Sequence, residues 1–200
     1  MWLISRFSNL HQLYGLYPVG LLLVLALLWS CAKKEMIKEE DMPGGLRDRT
    51  WEDAPKTIKS KEITRFECEY RTNLTNEEGF FYFVFILQRE NDKANCRIIC
   101  QDDIRRAAEQ EFQVPLSLLL DLQALADQHD LARYNGIDRQ VNGLPEFFGA
   151  RLLVDYTSGE RIRAYDNSSS FLDYRAADAI YAFFMDLNRQ WGSPFTDQTD

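Results

Sequence analysis

Few side chains in this 200-residue sequence have both the type and the spacing to do chemistry. The two histidines are His11 and His129, and His11 sits in an apolar leader-like stretch. Any Ser-His-acid or Cys-His arrangement therefore falls to His129 in "DQHDL", beside a helix end, where a partly exposed, non-catalytic imidazole is the ordinary case. Three of the four cysteines, Cys68, Cys96 and Cys100, follow the charged segment. Cys96 and Cys100 share one face of one strand, about 13 Å apart at strand rise, so they cannot bridge each other. Cys68 is a candidate disulfide partner for either, and three buried thiols acting as small hydrophobes are the competing reading. A zinc site lacks a fourth ligand at the usual close spacing, so no metal and no cofactor are expected. Asp155 and Asp166 flank a hairpin and form a candidate acid pair for hydrolysis, with nothing in the spacing to fix their separation. "DNSSSFLD" lacks the glycine and alternating acids of a calcium loop, and no phosphate-cradling glycine loop is present. Arg161, Arg163 and Tyr165 fall on the outward face of the hairpin's second arm, a candidate recognition surface.

The elements that must position these residues begin near Lys61. "EITRFECEYRT" alternates, with Phe66, Cys68 and Tyr70 inward and Arg65, Glu67 and Glu69 outward, which is a half-buried strand. "GFFYFVFILQR" is apolar on both faces and reads as a central strand covered on each side. "ANCRIICQD" turns Cys96, Ile98 and Cys100 inward, and the three strands form a meander. "DDIRRAAEQEF" reads as a short helix with acidic residues at its start, ended by Pro115; "LSLLLDLQALADQHDLARY" reads as a second. "ARLLVDYTSGERIRAYDN" is a hairpin turning at Ser158-Gly159. A last helix runs from about Asp173, its N-cap, to Trp191, with Tyr174, Ala177, Tyr181, Phe184 and Trp191 along a stripe. The expectation is an α+β domain over 61–191, order β-β-β-α-α-β-β-α, with a mainly antiparallel sheet of about five strands and helices on one face. Residues 192–200 are expected to be a loose tail.

Compartment is decided further upstream. From Phe7 to Ala32 there is no charged side chain, but the strongly apolar part is only Val19 to Trp29, which suits a signal-peptide core better than a full span. Residues 1–30 are thus read as a signal peptide or membrane anchor. Residues 31–60, charged and holding Pro43-Gly44-Gly45, are read as a polar tether. All 31 acidic residues lie beyond Cys31, and the net charge of −8 repels phosphate backbones, so no nucleic-acid partner is expected.

"LLWSC", Leu27 to Cys31, with Leu28 three residues before the cysteine and small Ser30 just before it, resembles the lipobox of bacterial lipoproteins, although Trp29 is larger than the residue usual there. The resemblance implies cleavage before Cys31 and its lipidation with diacylglycerol and a further acyl chain such as palmitate; two or three chains anchor stably where one does not. It places the protein at the cell membrane, lipid-anchored on the extracytoplasmic face. An uncut transmembrane helix is the competing reading, and Lys33, Lys34 and Lys38 would then favour a cytoplasmic body. "GLPEFFG" and "VDYTSGERIRAYDN", within 143–167, resemble segments of uncharacterised predicted lipoproteins of Gram-positive, clostridia-like bacteria, which imply no activity. The expected role is non-enzymatic, a binding or envelope-associated lipoprotein whose partners are the membrane and an envelope ligand or protein. A carboxylate-dependent envelope hydrolase is the alternative.

Overall fold

In the computed structural model the residues described are 38–72, 79–102, 107–145 and 148–195. The expected leader and Cys31 lie outside them. Eight strands and two α-helices run in the order β1 (Leu46–Asp48), β2 (Ile63–Arg71), β3 (Tyr82–Glu90), β4 (Lys93–Gln101), β5 (Ala107–Pro115), α1 (Ser117–Gln128), β6 (Asp138–Val141), β7 (Ala150–Tyr156), β8 (Arg161–Asp166) and α2 (Tyr174–Trp191). The fold is α+β. One sheet has the order β1-β6-β8-β7-β2-β3-β4-β5, antiparallel throughout except for the β6–β8 pair.

The core lies between one face of this sheet and the helices. Phe66, Cys68 and Tyr70 of β2 point into it, as do Phe83, Phe85 and Leu87 of β3 and Cys96, Ile98 and Cys100 of β4. Leu152 and Val154 of β7 and Ile162 and Ala164 of β8 continue the layer. Helix α2 presents Ala176, Ile180, Phe184 and Leu187 to it. Phe184 stacks on Phe85 at 4.8 Å between ring centroids, and Tyr181 meets Phe83 edge-on at 5.1 Å, an offset and T-shaped geometry that the aromatic quadrupole favours. The expected stripe on this helix is about one residue out of phase at its ends: Tyr174 and Trp191 are exposed. Asp173 caps the helix as expected, its carboxylate accepting the Ala176 N–H at 2.9 Å.

Several expectations are corrected. Residues 107–115 form an edge strand, not a helix. "AAEQEFQV" is rich in helix formers, but propensity is a weak prior against nine residues of pairing with β4. Arg97 Nε donates to Glu109 at 2.6 Å and Asn95 to Glu111 at 2.7 Å, so the glutamates on this strand have cross-strand partners. Two short strands, β1 and β6, were absent from the expected order, which gives β-β-β-β-β-α-β-β-β-α in place of β-β-β-α-α-β-β-α.

The polar tether does not extend to residue 60, because the compact unit starts at Glu39. Arg49 and Trp51 donate backbone hydrogen bonds to Asp138 and Gly136, and Ala54 is buried. Gly136 makes this crossing possible. Its φ is +89°, and a Cβ there would lie 2.4 Å from the Trp51 carbonyl oxygen. At the other terminus the start of the expected loose tail is packed: Phe195 meets Phe80 edge-on and the Pro194 carbonyl accepts from Gln110.

The three downstream cysteines are buried thiols, and no disulfide joins them. Strand β3 lies between β2 and β4, which separates Cys68 from Cys96 and Cys100 by two strand spacings, about 10 Å and beyond disulfide reach.

Candidate functional site

Strand β3 is central, as expected, but among the described residues helices cover it on one side only. Tyr82, Val84, Ile86 and Gln88 are half-buried on the sheet face opposite the helices, where no helix packs among the described residues. The strand registers assemble that face into rows. One row runs Arg163, Leu153, Glu67, Ile86, Arg97, Glu111 from β8 to β5. The next runs Tyr165, Arg151, Glu69, Val84, Ile99, Glu109. A third begins Arg161, Asp155, Arg65, Gln88, Asn95. Arg65 stands opposite Asp155 in the regular β2–β7 register that continues from Tyr70, and that register breaks just beyond it, between Arg65 and Ile63. The result is an aliphatic strip of Val84, Ile86, Ile99 and Leu153 with arginines and carboxylates around it.

Glu67 is the most deeply set charge on this face, its side chain only 7% exposed. Arg65 Nη2 donates to it at 2.5 Å and Arg151 Nη1 approaches at 3.5 Å. Arg151 also reaches Glu69 at 3.3 Å, and the Tyr82 hydroxyl donates to the same carboxylate at 3.1 Å. A second group forms around Asp155, which accepts from Arg163 Nη2 at 2.5 Å and has Arg161 Nε at 3.6 Å. The other terminal nitrogen of Arg163 donates to the Ile162 carbonyl at 2.9 Å, which fixes its guanidinium against the sheet.

Two shallow clefts open on this face and share Arg163. The first, about 450 Å³, is lined by Arg65, Arg89, Arg161, Arg163, Asp155 and Gln88, and by Tyr156, whose side chain belongs to the core side of β7. Burial pushes the Tyr156 phenol up to about 12, so it stays neutral. The second, about 540 Å³, lies between Arg151, Leu153 and Tyr165 on one side and Arg49 and Trp51 on the other. Trp51 is 59% exposed.

The expected recognition residues Arg161, Arg163 and Tyr165 are thus on one face and between them line both clefts. The acid pair does not converge. Asp155 faces the clefts, whereas Asp166 is buried on the helix side of β8, its Oδ1 accepting from the Ser168 N–H at 2.8 Å and hydroxyl at 2.7 Å. His129 terminates α1, its N–H donating to the Leu125 carbonyl, away from both clefts. Among the described residues no cluster of His, Cys, Asp and Glu could hold a metal ion.

Sequence reasoning missed Arg65, Arg89 and Arg151 as site residues, and also the contribution of Arg49 and Trp51. The outward face of β2 was readable, but which strands lie beside it was not. No protein-family model matches the chain, and no curated protein or solved structure matches it. Among the described residues no helix is long and apolar enough to cross a membrane.

Proposed function

We propose that the protein is a lipid-anchored lipoprotein of the extracytoplasmic membrane face, of the kind found in Gram-positive bacteria, with a non-enzymatic binding role carried by the uncovered sheet face. The observation that supports a binding role is the form of that face. It combines an aliphatic centre with a rim of arginines, most of them held in place by ion pairs, and the two clefts described on it are shallow. The polar groups that fix orientation are already positioned by ion pairs along and across the strands, as a binding surface requires. The hydrolase alternative loses its acid pair with Asp166 turned to the opposite face. The anchor rests on "LLWSC" and on the short apolar core before it, Val19 to Trp29.

Metabolic fatty-acid labelling of the wild type and of Cys31→Ser tests the anchor. Label is expected in the wild type and absent in the variant, with a mature chain whose mass begins at Cys31. Equal labelling, or a wild-type chain retaining Met1, overturns it and favours the uncut transmembrane helix.

A further inference from the structure

We propose that the first cleft, between Arg161 on β8 and Arg65 and Arg89 on β2 and β3, binds the phosphate group of a phosphate monoester. The proposal deepens the binding role above by naming a ligand class, and it stands or falls independently of the lipid anchor. Four arginines line the cleft and two carboxylates, Asp155 and Glu67, pair with members of that set. Two positive charges are left uncompensated, the complement of a monoester dianion. That excess is notable in a chain with 31 acidic and 23 basic residues, whose surface charge otherwise repels anions.

Hydrogen-bond capacity points the same way. Arg163 is committed to Asp155 and to backbone carbonyls, so it neutralises the carboxylate without offering much to a ligand. Arg161 has only the long 3.6 Å approach to Asp155, and Arg89 has no carboxylate partner among the described residues. Arg65 keeps its Nε–H buried and without a hydrogen-bond partner. A buried donor left unmade costs free energy, and an anion seated against β2 would satisfy it. Guanidinium forks suit the tetrahedral, multiply accepting oxygens of phosphate, and the neutral Gln88 amide supplies a further donor. Neighbouring strands lie about 4.8 Å apart, so arginines on β2 and β8, with β7 between them, can close on one phosphate from two sides.

The test uses the full-length chain in neutral detergent, titrated by calorimetry at fixed ionic strength. The probes are inorganic phosphate, glycerol 3-phosphate, dihexanoyl phosphatidic acid, dihexanoyl phosphatidylglycerol and acetate. Saturable binding of at least one monoester, about tenfold or more tighter than acetate and the phosphatidylglycerol diester, is expected. Preference for phosphatidic acid over glycerol 3-phosphate identifies a lipid headgroup as the source, and the reverse a soluble ester. The double variant Arg89→Gln/Arg161→Gln should lose about tenfold or more in affinity. Arg97→Gln, on the same sheet face but paired with Glu109 at 2.6 Å, should leave affinity unchanged. Equal affinity for acetate and phosphate, no saturable binding of any monoester, or equal loss in the Arg97 variant overturns the proposal. All substituted side chains are at least partly exposed, and a thermal melt checks that each variant is folded.

Discussion

Glu67 sits beneath two guanidiniums on a face otherwise built of half-exposed side chains, and its neighbours depend on it. Replacing it with alanine leaves Arg65 and Arg151 without their shared carboxylate while the adjoining Glu69 keeps only part of the compensation. Both arginines are about two-fifths exposed and can turn to water, which limits the penalty. Glu67→Ala should cost about 1–3 kcal/mol in urea denaturation, and Glu67→Gln less, since an amide still accepts from Arg65. A different carboxylate governs the acid side. Asp173 is held below the usual aspartate range mainly by the Ala176 N–H, with the Tyr134 hydroxyl and Arg133 adding to it. A group whose value is lower in the folded state stabilises above its unfolded value and loses that contribution as pH falls through the folded one. Asp173→Ala should therefore cost about 1 kcal/mol near neutrality and progressively less on acidification below the ordinary aspartate value. Melting curves of the two proteins that stay parallel down to strongly acidic pH would contradict this.

Among the elements, the segment from Arg49 to Lys61 carries the clearest consequence. It contributes Arg49 and Trp51 to the second cleft, and its attachment is local: Trp51 and Ala54 against Gly136, Pro55 accepting from Asn135, and the Glu160 carboxylate accepting the N–H groups of Lys59 at 3.0 Å and Ser60 at 2.9 Å. Those N–H groups lower the Glu160 value. Gly136→Ala combines a disfavoured positive φ with a clash at the Trp51 carbonyl and should destabilise by about 1–3 kcal/mol. Hydrogen exchange should show the loss concentrated in 46–60; uniform loss across the sheet would argue against a separable attachment. The inward faces of β2, β4, β7 and β8 were legible because they alternate with period two, and α2 because its cap and stripe agree. What failed did so for one reason. β1 and β6 pair with strands distant in sequence, and β5 follows its partner β4 directly but is itself weakly apolar, so their pairing is a tertiary property that local pattern does not encode. Arg161, Arg163 and Tyr165 could be placed on a face, but the arginines that share their clefts belong to other elements of the chain.

At the scale of the molecule, three thiols lie in the core of a protein proposed to work outside the cytoplasm. Burial pushes the Cys96 thiol up to about 12 and the Cys68 thiol further still, so neither offers a thiolate to an oxidant. Stability should be the same with and without a reductant, and a thiol reagent should label the native body slowly. After denaturation, the count of reactive thiols reports on the anchor. A chain alkylated at Cys31 exposes three, and an unmodified chain four.

The early start of the folded unit, at Glu39, has a consequence for where such a body can act. If Cys31 is held in the membrane as proposed, seven residues, 32 to 38, are all that connect it to the domain. Fully extended they span about 25 Å, less than the diameter of roughly 40 Å expected for a body of this size. With that anchor in place, the domain could roll and tilt at the lipid surface but could not move away from it by its own diameter. Its working volume is a thin layer, and any ligand held in that same layer meets it at an effective concentration that solution ligands do not reach.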